Sequence, residues 1–375
     1  MSKNLEIHIV SFTVPFPPNY GGVIDIFYKI KWLSKLGVKI HLHCFRYDRD
    51  ESAELNKYCK SVRYYYRPKA VRYFLSKLPF IVRTRSDKKL LEVLRNEKFP
   101  ILFEGLHTTF FLKNLAVNQR KIVVRTHNIE HEYYSNLARQ ENNPFKKFYF
   151  SAEAKKLKKY LQNLSSGISI AAITEKDCEY FKTLNPNTFL IEAFHPNHQI
   201  KALTGLGKYV LYHGNLSVNE NSEAAFFILN SICSSVNYPF IIAGKNPPAS
   251  LKKRIRQQPH VELIENPDNQ QMEQLIQNAQ INLLITFQNT GIKLKLINAL
   301  YLGRHCIANS AMVENSGLSE LCHIQNNPNQ IIENIKSLYL TPVNETDLNK
   351  RREILLKNVN NKHSAQKLIN LLVRN

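Results

Sequence analysis

The sequence predicts an α/β protein built from two doubly wound parallel sheets. Three observations carry this expectation. Short apolar runs alternate with helical patterns along the whole chain. The alternation halts at HPNHQIKALTGLGK (His195 to Lys208) and then restarts. The 375 residues suit two ordinary domains, each with a buried core. Strands that alternate with helices require crossover connections, which cover both faces of a parallel sheet.

The elements follow in order. LEIHIVSF, from Leu5, reads as a first strand, and VIDIFYKIKWLSKL (Val23 to Leu36) as an amphipathic helix. VKIHLHCF from Val38, VRYYY near Val62, ILFEGL at Ile101, KIVVRTH at Lys121 and GISIAAIT at Gly167 continue the strand series. After the interruption come the strand YVLYHG, a helix from Glu223 to Ile232, the strand PFIIAG and a basic helix from Leu251 to Arg256. VELIE, a helix at Met272 to Asn278, INLLITF, a helix at Lys293 to Leu302 and HCIANS complete the second series. We expect domains at 1–197 and 205–345. A C-terminal helical segment over 346–375 would be able to pack back across the domains.

Composition narrows the class. No apolar run approaches the length of a membrane span, and the N-terminus lacks the long apolar segment of a signal peptide, so a cytoplasmic protein is expected. The six cysteines lie far apart with no C-x-x-C pair, which argues against zinc or disulfide frameworks and for buried thiols. A net charge of +21 favours an anionic partner. Between Lys57 and Lys98 there are 13 Lys/Arg against 3 Asp/Glu, so the charge is concentrated.

On parallel sheets, ligands bind beyond the carboxyl ends of strands. FTVPFPPNYGG (Phe12 to Gly22) lies between the first strand and the first helix. Its prolines stiffen the loop, and Gly21 and Gly22 would let a phosphate approach backbone N–H groups at the helix N-terminus. The plainer reading is a rigid turn. RTHNIEHEYY (Arg125 to Tyr134) places His127 and Asn128 after a strand, either toward a ligand or as caps of the next helix, with Glu130, His131 and Glu132 on a solvated face. Glu104 also ends a strand, and either serves a site or pairs with an arginine. In the second half, Gly214 and Asn215 (YHGNLS), then Lys245 (AGKNPP), repeat the strand-end pattern. Gly291 opens a helix carrying Lys293 and Lys295 in its first turns. Lysines there oppose the helix dipole unless an anion sits among them.

Taken together, FPPNYGG, RTHNIEHEYY, HGNLS, AGKNP and TGIKLKLINALYLGRHCIANS resemble glycosyltransferases of the GT-B fold, in particular the retaining family 4 (group 1) enzymes. The resemblance spans nearly the whole chain, with the motifs in the family's order. It implies two Rossmann-like domains facing a central cleft, an N-terminal acceptor domain and a C-terminal nucleotide-sugar-binding domain. It implies that Gly21 and Gly22 lie against the donor diphosphate or sugar, and that His127 contacts the donor sugar. Gly291 to Ala299 would bind the nucleotide and its phosphates. The family's usual Arg and Lys after the first strand of the second domain are replaced here by Asn215 and Glu220. Its two glutamates are replaced by Thr290 and Asn298. Asn298 could bond a ribose hydroxyl, and Lys245, Lys293 and Lys295 could restore the charge.

The implied activity is retaining transfer of a sugar from a nucleotide-sugar to a glycan or lipid-linked acceptor in surface polysaccharide or glycoconjugate synthesis. His127 would be the catalytic residue, with Glu104 and Asn128 on the acceptor or sugar side. No cofactor or metal is expected, since no acidic triplet stands out in the sequence. A catalytically silent GT-B protein that binds a glycan or partner enzyme is the alternative. RYYYRPKAVRYFLSKLPFIVRTR (Arg63 to Arg85) interleaves basic and aromatic residues, which suits an anionic membrane surface at the inner face of the cell membrane, or single-stranded nucleic acid. No nucleic-acid module accompanies it, so nucleic acid ranks low. Six lysines between Lys146 and Lys159 add a second basic stretch on a helix.

Overall fold

The computed structural model describes residues 5–68, 71–115, 119–164, 167–287 and 293–373. These form two compact units. The first holds the described chain up to Pro196 together with the segment from Val359 onward. The second holds the described residues from Asn197 to Asn358, apart from the stretch at 288–292.

In the first unit the described strands are β1 (Glu6–Ser11), β2 (Lys39–Arg46), β3 (Ser61–Tyr66), β4 (Ile101–Glu104), β5 (Ile122–Arg125), β6 (Ser169–Ala172) and β7 (Thr188–Leu190). All pair in parallel, in the order β3-β2-β1-β4-β5-β6-β7. Chain direction across the sheet reverses between β1 and β4, so these two strands flank the switch point where such sheets bind ligands.

The first helix spans Gly21–Lys35. Val23, Ile26, Phe27, Ile30 and Leu33 recur at helical spacing and are buried, the last four in one core with Ile7, Ile9, Ile40 and Leu42 of the sheet. The helix Asn361–Val373 adds Ala365, Leu368, Ile369 and Leu372 to the same core. The opposite face carries Val10, Phe103, Val124, Leu161 and Phe181. Burying each such side chain contributes about 1.5–3 kcal/mol, which is what fixes the helices on the sheet.

The second unit contains β8 (Val210–Asn215), β9 (Phe240–Lys245), β10 (Val261–Glu265), β11 (Ile281–Leu284), β12 (His305–Ala308) and β13 (His323–Ile324). Their order, β10-β9-β8-β11-β12-β13, is again parallel and again reverses beside the first strand, between β8 and β11. Gly214 and Gly244 are register partners, and a Cβ on Gly244 would run into the Gly214 carbonyl oxygen. Only glycine allows that approach.

The fold class is as the sequence predicts: two α/β parallel-sheet units. The short strands β7 and β13 carry too few apolar residues to stand out in sequence. The C-terminal pattern is two helices, Glu345–Asn358 in the second unit and Asn361–Val373 in the first. All six cysteines are free, five buried and Cys322 half-buried. No helix among the described residues is long and apolar enough to cross a membrane.

Candidate functional site

At the switch point of the first sheet the chain buries five polar side chains together. Asp25 and Lys29 stand one turn apart on the core face of the first helix, Glu104 ends β4, Arg125 ends β5 and His127 follows it. Lys29 Nζ donates to Asp25 Oδ2 at 2.8 Å and to both Glu104 oxygens at 2.7 and 2.9 Å. Arg125 donates to the two Asp25 oxygens at 3.0 and 3.3 Å, and to the carbonyls of Ile191 and Glu192. The backbone N–H of Phe194 adds a third donor to Asp25, at 2.8 Å. His127 Nε2 lies 3.0 Å from Glu104 Oε2.

Two carboxylates and two permanent cations thus compensate one another away from water, the condition under which buried charge is tolerated. Burial alone would raise the Asp25 carboxyl, but Arg125, Lys29 and His127 outweigh it and hold it well below the usual range. Burial likewise raises the Glu104 carboxyl, and Lys29 with the His127 hydrogen bond outweighs it and holds it below its ordinary value. Both groups are therefore anchors, already engaged, and neither is poised as a nucleophile.

The other His127 nitrogen, Nδ1, is buried and makes no hydrogen bond; its nearest charged neighbour is Asp25, at 4.0 Å. A Cβ on Gly22 would come within 3.9 Å of it and within 3.1 Å of the Phe12 ring. The helix that Gly21 and Gly22 open has no side-chain cap and no acid in its first turn. Open N–H groups and an unengaged imidazole nitrogen therefore share one spot, suited to an anionic or hydroxyl-bearing ligand. Asn128 is half-buried, and the next helix begins at Glu130 with Ile129 as N-cap and no side-chain cap bond, so the capping reading of His127 and Asn128 is set aside. Glu104 pairs with Lys29 and His127 rather than with an arginine.

Asp25, Glu104 and His127 present ligand atoms within reach of one cation, a triplet that tertiary structure assembles from three separate motifs. Lys29 already occupies the position between the two carboxylates, so the residues present suit an ammonium group better than a divalent ion.

In the second unit the corresponding switch point gathers His213, Gly214 and Asn215 at the end of β8, and Glu220 and Asn221 in the helix Asn219–Ser231. Lys293 and Lys295 lie at the start of the helix Leu294–Leu302. Lys295 Nζ donates to Asn221 Oδ1 at 3.2 Å and lies 5.5 Å from the Tyr212 ring centroid. Burial pushes it down to about 8 against the pull of Glu220. Lys293 is lowered too, by burial, against Glu220 and Glu314. Glu220 accepts a hydrogen bond from the Thr286 hydroxyl just beyond β11. His213 is held neutral, at about 3, by burial and by Lys295, and its Nε2 makes no hydrogen bond. Two desolvated lysines beside a neutral imidazole are an environment an added anion would stabilise.

The remaining candidates divide. Lys245 is exposed and is the register partner of Asn215 across β9 and β8. Asn215 uses its side-chain oxygen to hold the turn, accepting from the Ser217 N–H at 3.2 Å and hydroxyl at 2.8 Å. Gly214 lets Asn221 approach, since a Cβ there would meet its amide carbon at 3.1 Å. Asn298 Oδ1 accepts from Asn197 at 2.8 Å. Gly291 and Thr290 lie outside the described residues.

Sequence reasoning missed Asp25, Lys29, Arg125 and His213. A charged i,i+4 pair on the apolar face of the first helix was the available signal for the first two. Glu130, expected on a solvated face, is buried at the first position of its helix, where it feels the charge of Arg85.

Residues 207–340 match the family model described as "Glycosyl transferases group 1". The second unit is similar to the group 1 glycosyltransferases over that stretch. An uncharacterized 44.6 kDa protein of the cps region of Klebsiella pneumoniae is 27% identical over 331 residues, covering 83% of this chain and 84% of that one. A glycosyltransferase from Rickettsia africae superposes with a TM-score of 0.66 at 13% identity, over all of both chains. Anabaena HepE, solved with UDP and glucose, gives 0.62 at 10% identity, over 99% of this chain and all of that one. Such low identities speak for the fold, which is GT-B. The coarse activity that accompanies a group 1 domain on this fold is glycosyl transfer.

Proposed function

We propose that this glycosyltransferase moves a sugar from a nucleotide-sugar to a glycan or lipid-linked acceptor, with retention of anomeric configuration, in surface polysaccharide or glycoconjugate synthesis. The observation that carries the reading is the unengaged His127 Nδ1 beside Gly22 at an uncapped helix N-terminus, since it offers a sugar hydroxyl a fixed partner. Glu104 fixes the imidazole and so sets which nitrogen meets the ligand. In the second unit Lys293 and Lys295 would receive the diphosphate, whose negative charge grows as the glycosidic bond breaks. Asp25 and Glu104 are ion-paired, which leaves neither carboxylate available to form a covalent sugar adduct, so retention would require attack from the face the diphosphate leaves. The reaction would then proceed on one face of the sugar, without metal or cofactor. The cps-region relative supports the pathway.

The first unit also supports attachment to an anionic membrane. Leu75, Phe145 and Phe148 are 91%, 84% and 77% exposed. The Phe74 ring packs 5.0 Å from Tyr149, and Lys156 donates to the Phe74 carbonyl at 2.9 Å, so these two segments form one surface. The helix Pro144–Gln162 supplies six lysines. Apolar tips among lysines suit a headgroup layer. The arginines at 63–85 contribute less, because Arg63 pairs with Glu97 and Arg85 is buried. Flotation with anionic and neutral liposomes tests this; equal absence from both rules it out.

The test of function is a thermal-shift screen against UDP, GDP, ADP and CMP, repeated on Lys293→Ala with Lys295→Ala. A shift with one nucleotide, lost in the double variant, is expected. The anomeric configuration of the transferred sugar then follows by NMR. A second reading, the catalytically silent binding protein, is favoured by Asn215 and Asn298, whose side-chain oxygens are already in use within the unit. It predicts no transfer with any nucleotide-sugar.

A further inference from the structure

Apart from the His127 cluster, the first unit buries a cation with no counter-ion. Arg85 is 1% exposed; its Nε donates to the Phe12 carbonyl at 3.0 Å and its Nη1 to the Ile81 carbonyl at 2.6 Å. Among the described residues no carboxylate lies within ion-pair distance of it. A second guanidinium stands nearby. Arg67 lies 4.2 Å and Arg85 5.7 Å from the centroid of the same Tyr47 ring. Arg67 Nε donates to the Thr84 hydroxyl at 3.0 Å, so it is held in place without a carboxylate. Burial, with Arg67 beside it, pushes Arg85 down to about 9. The acid that feels its field, Glu130, is also buried, which pushes its carboxyl up to about 7; it is no full counter-ion.

The position is as informative as the charge. Phe12, Tyr47, Arg67, His107 and Glu130 follow the carboxyl ends of β1, β2, β3, β4 and β5 in turn, the edge of the sheet where ligands bind. The Phe12 ring, whose residue's carbonyl Arg85 holds, lies 5.6 Å from the His127 ring and 5.1 Å from that of His107. The uncompensated pair of arginines is thus one aromatic ring away from the imidazole assigned to the sugar. An anion bound there would meet two guanidinium charges through their remaining N–H groups, with no ion-paired acid to displace.

We propose that Arg85 and Arg67 form a phosphate subsite on the acceptor side, so that the acceptor carries a phosphoryl group close to the hydroxyl that receives the sugar. This rests on the glycosyl-transfer reading. A phosphate monoester is preferred to a carboxylate because it carries close to two charges near neutral pH, matching two guanidinium groups.

The test uses the full chain carrying Lys293→Ala and Lys295→Ala, which removes the lysines of the second unit as competing anion sites. Phenyl phosphate, benzoate and phenyl β-glucoside are titrated by calorimetry, with and without Arg67→Gln. Arg67 is half-buried; a melting temperature for Arg67→Gln equal to the parent's establishes that the fold is intact, and Arg85→Lys serves as a charge-preserving control. The expected result is that phenyl phosphate binds and weakens at least tenfold in Arg67→Gln, while benzoate binds more weakly and the glucoside does not depend on Arg67. Equal affinity with and without Arg67, or no phenyl phosphate binding at 10 mM (roughly the weakest affinity such a titration registers), overturns the subsite. Benzoate binding as tightly overturns its assignment to phosphate. UDP titration of the unmodified chain separates the two claims: UDP binding without an Arg67-dependent phosphate site leaves the transferase reading standing alone, and the converse leaves the subsite alone.

Discussion

Glu104 Oε2 holds His127 Nε2 at 3.0 Å, and this one contact decides which face of the imidazole is left for a ligand. The carboxylate is in turn fixed by Lys29, and Lys29 by Asp25. A chain of buried charges, each satisfied by the next, ends at a nitrogen that is not satisfied. Under the proposed reading His127 is a positioned group, its ring fixed by Glu104 and its Nδ1 turned to the ligand.

Replacing His127 by Ala should lower the rate of transfer by about 10²-fold, the order of loss for one positioned hydrogen-bonding group. The nucleotide-induced thermal shift, which depends on the second unit, should survive. Loss of both together would mean that the replacement had disturbed the fold.

Lys29→Met should destabilise the protein by about 3–5 kcal/mol, because it leaves Asp25 and Glu104 buried with only Arg125 and His127 as partners. Urea unfolding monitored by circular dichroism measures this. A cost under about 1 kcal/mol, the range of a surface pair, would show that water reaches the cluster.

Gly22→Ala separates stability from function. Alanine is the better helix former by up to about 1 kcal/mol, yet its Cβ would enter the space between the Phe12 ring and His127 Nδ1. We expect an unchanged or higher melting temperature together with at least a tenfold fall in transfer rate. An unchanged rate would remove the Gly22 backbone from the site.

Buried neutral histidines set the acid side of the stability profile. Burial lowers His8 to about 4, His195 to about 4 and His213 to about 3. Their unfolded values lie near 6.5, so between about pH 4 and 6.5 the unfolded chain binds more protons. Stability should therefore fall as pH drops from about 6.5 toward 4, before the lowered carboxyls of Asp25 and Glu104 add their own loss. Unfolding free energies measured across this range should slope, and a flat profile would contradict the burial of these rings.

Nucleotide affinity should report on Lys295. Its ammonium, lowered by burial to about 8, loses its proton in the unliganded protein as pH rises through that value. UDP binding should weaken above about pH 8 and lose that dependence in Lys295→Gln. Calorimetry between pH 7 and 9.5 checks it.

Much of the architecture was legible in the sequence because burial on two faces forces strands into continuous apolar runs. IHIV, VKIHL, IVV and FIIA could be little else between helical patterns. The strand-end positions His127, Gly214 and Lys245 followed from the same logic, since loops after parallel strands point to one edge. Glycine pairs were legible too, because few other residues permit close backbone approach.

What the sequence by itself determined, then, was periodicity: the elements, their alternation, the two units and the loops able to carry chemistry. Tertiary structure alone decided which charges meet. Asp25, Lys29, Glu104, Arg125 and His127 come from three separate stretches, and nothing in their spacing shows that two carboxylates would close on one ammonium. It also decided that Arg85, one arginine among many in a basic window, would be buried without a carboxylate. The physical reason is range. Periodicity is imposed by neighbours along the chain, whereas the worth of a charge depends on the water removed from it and the partner supplied, and both are set by packing among residues as far as 169 positions apart.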